Sequence, residues 1–292
     1  MPDFDQNSLD EPARRAASTY TAAADHYERP ALGFWDRWGA GTVSRLVLSR
    51  GAAVLDLCCG AGGSALPAAR AVGPDGRVLG VDLAVPMLEL ARAKADRERL
   101  TNVEFRRGDA TRTGLPNGAF DVVVCVFGVF FAQDMPGFVA EMWRMVRPGG
   151  TLAITTWGPG WCEPASSVFW DAVRDAKPSL YRAFNPWDEI TTPDALSRLF
   201  AHGGVETATA RPAAGEHNLD RPEDFWDIAL GSGYRGTIDA LRPAQSEAVR
   251  GQVLGILSSR AVTTLRTDVV FGTATKPQRS RHSRRDSART SP

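Results

Sequence analysis

The stretch Val54-Leu55-Asp56-Leu57-Cys58-Cys59-Gly60-Ala61-Gly62-Gly63 constrains this chain more than any other. An apolar strand pattern carrying one carboxylate runs into a glycine turn and then into an alanine-rich helical pattern. Glycine has no Cβ, so such a turn admits positive φ and lets the backbone approach a ligand closely. Gly60-x-Gly62-x-x-Ala65 fits the dinucleotide-binding spacing, and Asp82 follows about 20 residues later, after the apolar run Val78–Val81. By itself the turn is also compatible with a plain strand-to-helix connection.

The rest of the chain supplies the context. Strand patterns at Ala53–Leu57, Arg77–Val81, Val103–Arg107, Ala119–Val126 and Thr151–Thr156 alternate with helical patterns at Gly63–Val72, Pro86–Arg97 and Pro136–Val146. That alternation predicts a three-layer α/β fold, a parallel sheet with helices on both faces. Further helices are predicted at Val168–Lys177, Thr192–Ala201 and Pro222–Leu230, and final strands at Val205–Ala210 and Asp268–Thr275. Ahead of the sheet, Ala16–Leu48 reads as helical with an aromatic face of Tyr20, Tyr27, Phe34, Trp35 and Trp38.

A carboxylate at the end of the second strand can accept both hydroxyls of an adenosine ribose, a feature common to NAD and S-adenosylmethionine. Asp56 separates the two, because a pyrophosphate gains nothing from another negative charge whereas a methionine ammonium does. Gly108-Asp109-Ala110, Phe120-Asp121 and Val146-Arg147-Pro148-Gly149-Gly150 follow in order. Together with Val54–Gly62 and Val81-Asp82, this set resembles the class I S-adenosylmethionine-dependent methyltransferases, in particular the ubiquinone/menaquinone-type and small-metabolite enzymes. Phe127-Gly128-Val129-Phe130-Phe131 is similar to that group's segment after strand four. The resemblance covers residues 45–157 and is only general beyond 160.

It implies a Rossmann-like sheet whose last strand is antiparallel, with helical cap elements. It also implies methyl transfer from S-adenosylmethionine to a small apolar or aromatic acceptor. Asp56, Gly60 and Gly62 would frame the methionyl end of the cofactor, and Asp82 the ribose. Leu83 and Met87 would meet the adenine face, Asp109 and the backbone of Ala110 the adenine edge, and Phe127 the sulfonium. Met87 and Phe127 equally suit ordinary core positions. Cys58 and Ala84 depart from the pattern, standing where relatives have glycine and often serine.

Composition narrows the function class. Residues 276–292 carry six basic side chains against Asp286, so this tail is +5 and residues 1–275 are −5 in a neutral chain. An acidic body disfavours a dedicated nucleic-acid binder. No run is long and apolar enough for a membrane span, the acidic N-terminus has no apolar signal core, and four cysteines without ligand-spaced histidines suggest neither a disulfide framework nor a metal site. A cytoplasmic setting follows as the expectation. The expected organisation is a cap over 1–45, a methyltransferase domain over 46–275 with helical insertions at about 158–200 and 212–262, and a disordered tail over 276–292. Seven of the eight tryptophans fall in the cap, the insertions and their borders, which suits an aromatic-lined cleft or plain packing. His26 and His217 are the histidines a cap could bring over a cofactor, and no general base is assigned. An NAD-dependent oxidoreductase, a cofactor-binding cyclase and an RNA methyltransferase are the alternatives.

Overall fold

The computed structural model describes residues 9–278. Helices α1 (Glu11–Ala23) and α2 (Phe34–Val43) lead into β1 (Ala53–Leu57). The chain then alternates through α3 (Ala65–Val72), β2 (Arg77–Asp82), α4 (Val85–Arg97), β3 (Val103–Arg107), β4 (Phe120–Val126), α5 (Met135–Met145) and β5 (Val146–Trp157). Its second half adds α6 (Ala165–Ala176), α7 (Pro193–His202), β6 (Thr209–Ala213), β7 (Glu216–Asn218) and α8 (Glu223–Leu230). It ends with α9 (Arg235–Ile238), α10 (Pro243–Ser259), β8 (Thr264–Arg266) and β9 (Val269–Thr275).

Seven strands form one sheet in the order β3-β2-β1-β4-β5-β9-β6. β1 to β5 pair in parallel, and β9 runs antiparallel to both β5 and β6. The expected Rossmann-like sheet with an antiparallel last strand is therefore present. β1 is buried along its whole length, as a central strand covered on both faces must be. Its side chains alternate between two core layers. Leu55 and Leu57 pack with Phe138, Met142 and Phe200, while Val54 packs with Ala65, Leu66 and Ala69 on the opposite face.

Strand order reverses between β1 and β4, and in the register Leu57 lies level with Val81 and Cys125. The carboxyl ends of β1, β2 and β4 thus open together at the switch point, where sheets of this kind hold ligands.

Several boundaries differ from the sequence-based expectation. β5 begins at Val146 rather than Thr151, because Phe120 pairs with Val146 but Val122 with Thr151. The residues between form an irregular start where Pro148 costs the ladder little and Gly149 takes φ +78°. β6 occupies Thr209–Ala213 rather than Val205–Ala210. Val205 instead closes α7, its N–H donating to Phe200 O, and its apolar side chain is buried. Strand β7 and helix α10 fall within the expected insertion at 212–262, and β8 lies just beyond it. Helix α1 starts at Glu11, five residues before Ala16, because Asp10 accepts from Ala13 N–H as an N-cap at 2.8 Å. Lys276, counted with the tail, is docked, its Nζ donating to Trp143 O and Val146 O. Pro277 and Gln278 are also described, and residues 279–292 of the expected disordered tail lie outside the described residues.

Candidate functional site

At the switch point lies a cavity of about 120 Å³, partly open to solvent. Its floor comes from the strand ends and the loops after them. Its roof comes from Ala13, Ala16, Ala17 and Tyr20 of α1, Tyr27, and Trp35 and Gly39 of α2.

The glycine loop is shaped by its neighbours. Gly60 takes φ +51° and Gly62 φ +84°, both in the left-handed region that favours glycine. Gly60 opens onto the cavity, with the Tyr27 hydroxyl 3.6 Å from where a Cβ would stand. Gly62 turns the other way, since a Cβ there would meet Leu66 of α3 at 3.1 Å. Cys58 shares the left-handed conformation at φ +57°, so the loop keeps the glycine-like backbone with a cysteine in place. Such a conformation costs an L residue roughly 1–2 kcal/mol.

Three carboxylates surround this loop in different ways. Asp82, closing β2, accepts from Gly60 N–H at 2.9 Å through one oxygen and from Ala84 N–H at 2.9 Å through the other. Burial raises its pKa, and the backbone donors of Ala84, Gly60 and Leu83 pull against that rise. Asp109 accepts from Thr111 N–H at 2.8 Å and from the Thr111 hydroxyl at 2.7 Å. Asp82 and Asp109 both line the cavity, with Leu83, Met87 and Ala110.

Asp56 lies behind the loop. Its Oδ2 accepts from the Ser64 hydroxyl at 2.7 Å, and its buried Oδ1 has no partner. Burial pushes its pKa up to about 7, and the nearby Asp82 charge adds to the rise while Ser64 opposes it. Ser64 lines the cavity and Asp56 does not, so the carboxylate communicates with the space through the serine.

Phe127 follows β4 at φ +55° and stacks on Trp157 with centroids 3.8 Å apart. Trp35 meets it edge-on at 5.6 Å and stacks with Tyr27 at 5.7 Å. Phe131 meets Tyr20 edge-on at 5.5 Å, joining the floor to α1. Trp35 is the tryptophan that lines the cavity; Trp157, Trp161, Trp170 and Trp226 are buried in packing. Burial keeps the Tyr20 and Tyr27 hydroxyls protonated by raising both pKa values.

Neither histidine singled out in the sequence lines the cavity. His26 Nδ1 pairs with Asp25 at 2.7 Å, and His217 packs edge-on against Phe34 at 5.2 Å. Asp121 is structural, accepting from Ala53 N–H at 2.8 Å and from Arg147 Nε at 2.5 Å, and so ties β1 to the start of β5.

Tyr20, Tyr27 and Trp35 of the roof belong to the aromatic face read in the sequence, whereas the small roof residues were missed, although two signals were there. Ala13, Ala16, Ala17 and Tyr20 share one helical face. Gly39 interrupts a helix that would otherwise prefer larger residues. A Cβ at Gly39 would stand 2.3 Å from Gly63 O, so glycine lets α2 lie directly on the glycine loop.

A model of the methyltransferase domain matches residues 54–150. Among curated relatives, the demethylmenaquinone methyltransferase of Lactococcus lactis subsp. lactis (strain IL1403) is 38% identical over 117 residues, 40% of this chain and 46% of the relative. That of Listeria welshimeri is 33% identical over 137 residues, 46% of this chain and 58% of the relative. The chain thus spans about half the length of the curated relatives it matches. Of solved structures, phosphoethanolamine N-methyltransferase 2 of Haemonchus contortus, in complex with phosphomonomethylethanolamine and S-adenosylhomocysteine, superposes with a TM-score of 0.57 at 17% identity, covering 92% of this chain and 61% of that one. The YcgJ protein of Bacillus subtilis gives 0.56 at 16% identity, covering 83% and 99%. The [4+2]-cyclase SpnF gives 0.51 at 20% identity, covering 83% and 81%.

The sheet order is that of the solved methyltransferase-like structures it superposes on, and residues 54–150 match the methyltransferase domain and are similar there to the menaquinone-type enzymes.

Proposed function

We propose that the chain transfers a methyl group from S-adenosylmethionine to a small, apolar and planar acceptor. The observation that carries this reading is the buried, half-partnered carboxylate of Asp56 behind the glycine loop. A buried carboxylate next to a second one is a poor place for a pyrophosphate and a good one for an ammonium group. The donor set therefore fits the cofactor's cationic methionyl end, with Ser64 between carboxylate and cavity. Asp82, already fixed by two backbone donors, would hold the ribose, and Asp109 the adenine edge. Met87, Leu83 and Ala110 would form the apolar slot for the base. Gly60 would let the chain approach, and Gly62 would keep α3 tight against the turn.

When bound, the cofactor supplies an activated methyl group. The protein's part is to align the acceptor with it, which can be worth roughly 7–11 kcal/mol. Trp35, Phe127, Phe131 and Phe138 give this end of the cavity an apolar wall, and a planar acceptor can slide against such faces. The relatives' names point the same way, toward an apolar ring system. The four described thiols are free, which suits the cytoplasmic setting proposed with this function. No helix among the described residues is long and apolar enough to cross a membrane.

Calorimetry with S-adenosylhomocysteine and NADH in parallel tests the cofactor, and mass spectrometry after incubation with S-adenosylmethionine and aromatic metabolites tests the transfer. Tight S-adenosylhomocysteine binding and a methylated product are expected. NADH binding without a response to S-adenosylhomocysteine would overturn the reading. A second use of the cavity, cyclisation without methyl transfer, has the fold of SpnF in its favour and is separated by the same product analysis.

A further inference from the structure

We propose that cofactor binding is coupled to the loss of a proton from Asp56, whose buried carboxyl group is neutral in the ligand-free protein and ionises when the ammonium of the methionyl end arrives. This rests on the methyl-transfer reading above and adds a proton to its binding step.

Asp56 is 1% exposed and lies level with Gly80 of β2 and Val124 of β4, so neither neighbouring strand offers it a polar side chain at that level. Ser64 donates to its Oδ2 at 2.7 Å, while its Oδ1 is buried without a hydrogen-bond partner among the described residues. An ionised carboxylate held in that way is costly, and a buried acid relieves the cost by keeping its proton. Asp82 adds a second carboxyl group from the end of β2, and Cys59 brings a buried thiol from the loop. The cations on that side are committed elsewhere: Lys94 of α4 pairs with Asp36 of α2 at 3.1 Å, and Arg92 of α4 donates to Phe105 O at 2.7 Å. The Ser64 hydroxyl and the Ala65 N–H favour the charged form, but burial prevails and holds the carboxyl up at about 7.

The cavity supplies what would reverse this balance. Ser64 lines it, and the serine oxygen that donates to Asp56 keeps lone pairs that can accept from a cation in the cavity. An ammonium bound there stands one hydroxyl away from the carboxyl group, and an opposite charge at that range favours the ionised form. The carboxyl O–H bond then breaks, its electron pair stays on oxygen, and the proton passes to water. The charge gained by Asp56 is matched by that of the ammonium, so the buried pair is neutral as a whole. Binding must therefore strengthen as pH rises through about 7, by about tenfold between pH 6 and pH 8. A ligand bringing a phosphate to the same place would have the reverse effect and take up a proton.

Calorimetry of the full chain with S-adenosylhomocysteine, in phosphate and in imidazole buffer, counts the protons exchanged, because the two buffers differ in ionisation enthalpy. About three quarters of a proton should be released per ligand at pH 6.5, and about a tenth at pH 8. Affinity should be about tenfold lower at pH 6 than at pH 8. Asp82→Asn should still release a proton, whereas Asp56→Asn should lose both the release and the pH dependence. Infrared difference spectra of the unaltered chain give a second reading that needs no variant: a carboxylic C=O band should disappear as the ligand binds. Proton uptake, or equal affinity at pH 6 and pH 8, overturns the proposal. So does release that survives in Asp56→Asn, or a carboxylic band that persists on binding. Failure to bind S-adenosylhomocysteine at any pH would instead defeat the underlying methyl-transfer reading, and this proposal with it.

Discussion

The floor and the roof of the cavity are built on different principles. The floor is polar and fixed by the sheet: Asp82 ends a strand and is pinned by two backbone N–H groups, and Asp109 is locked by Thr111. The roof is apolar and supplied by helices that stand outside the sheet, and in α1 Ala23 is the buried residue. Its ties to the body are side-chain contacts, such as Arg235 with Asp25 at 2.9 Å and Lys94 with Glu28 at 3.2 Å. In each pair the cation is largely covered and the carboxylate more open, so solvent still screens part of the attraction. The difference teaches that the floor is fixed by the sheet, whereas the roof is uneven: α1 buries only Ala23, and α2 sinks Phe34, Trp35, Trp38 and Val43 into the core.

The sharpest way to break the comparison is Asp82→Ala. It removes a proposed pair of ribose hydrogen bonds, each worth about 1.5–3 kcal/mol to a charged group, and it leaves Gly60 N–H without its partner. S-adenosylhomocysteine affinity should fall about a hundredfold, close to 2.7 kcal/mol, as read by calorimetry. Asp82→Asn should lose less, because an amide still accepts one hydroxyl. A loss of less than threefold in Asp82→Ala would mean that the floor is not the binding surface.

Next in size is the pH dependence set by Asp56. Its folded pKa, about 7, lies above its ordinary value of 3.8, so folding favours the protonated form. That contribution is complete below pH 4 and is lost as pH rises through about 7. The ligand-free protein should therefore lose stability between pH 5 and 8, by on the order of 2 kcal/mol. Asp56→Asn should flatten that part of the profile while weakening S-adenosylhomocysteine binding. Denaturant melts across this range check both; an unchanged slope in Asp56→Asn would show that another group carries it.

How much could be read beforehand follows the same division. Most of the floor belongs to a strand end or the turn after it, with Met87 of α4 and Phe138 of α5 as exceptions, and both local pattern and ordered motifs mark such positions. Asp82 was legible because the apolar run Val78–Val81 before it fixes where the strand stops, and Asp109 through the resemblance that Gly108-Asp109-Ala110 helps to carry. The roof was legible only in its aromatic face, because nothing in Ala13, Ala16 and Ala17 tells what a small-residue face will cover. Only the packing of α1 against α4 and α9 decides that. Trp35 and Trp157 are equally aromatic in the sequence, yet one lines the cavity and the other supports Phe127 from behind. The displaced β6 is a similar case: Val205 looks like strand, but burial against α7 uses it as a helix stop.

Gly39→Ala tests the roof directly. A methyl group would stand 2.3 Å from Gly63 O, a backbone atom that cannot swing away. Overpacking of this kind costs about 1–3 kcal/mol. The melting temperature should fall by several degrees, while far-ultraviolet circular dichroism stays native because the added methyl strains one contact between α2 and the glycine loop and leaves the strand register unchanged. Amide exchange in residues 11–43 should quicken more than in β1–β5. Uniform acceleration across both would show that roof and floor unfold as one unit.

The smallest effect concerns the seam beneath the two, where Cys58 and Gly128 touch. Cys58 holds φ +57° at a position that suits glycine, and a Cβ on Gly128 would stand 2.4 Å from the Cys58 Cβ. Cys58→Gly relieves left-handed strain of about 1–2 kcal/mol but gives up the packing of its sulfur beside Cys125 and adds chain entropy to the unfolded state. These terms nearly cancel, so its stability should move by less than about 1 kcal/mol. Cys58→Ala keeps the strained backbone and loses the sulfur, and it should be the less stable of the two. Gly128→Ala alone should destabilise, because its new methyl meets Cys58 head-on. In the Cys58→Gly background that clash is removed and only the contact with Cys125 Sγ, at 2.9 Å, is left. The double-mutant cycle should then show coupling of about 1 kcal/mol. Additive behaviour would place the clash elsewhere and make the floor softer at this point than its hydrogen bonds suggest.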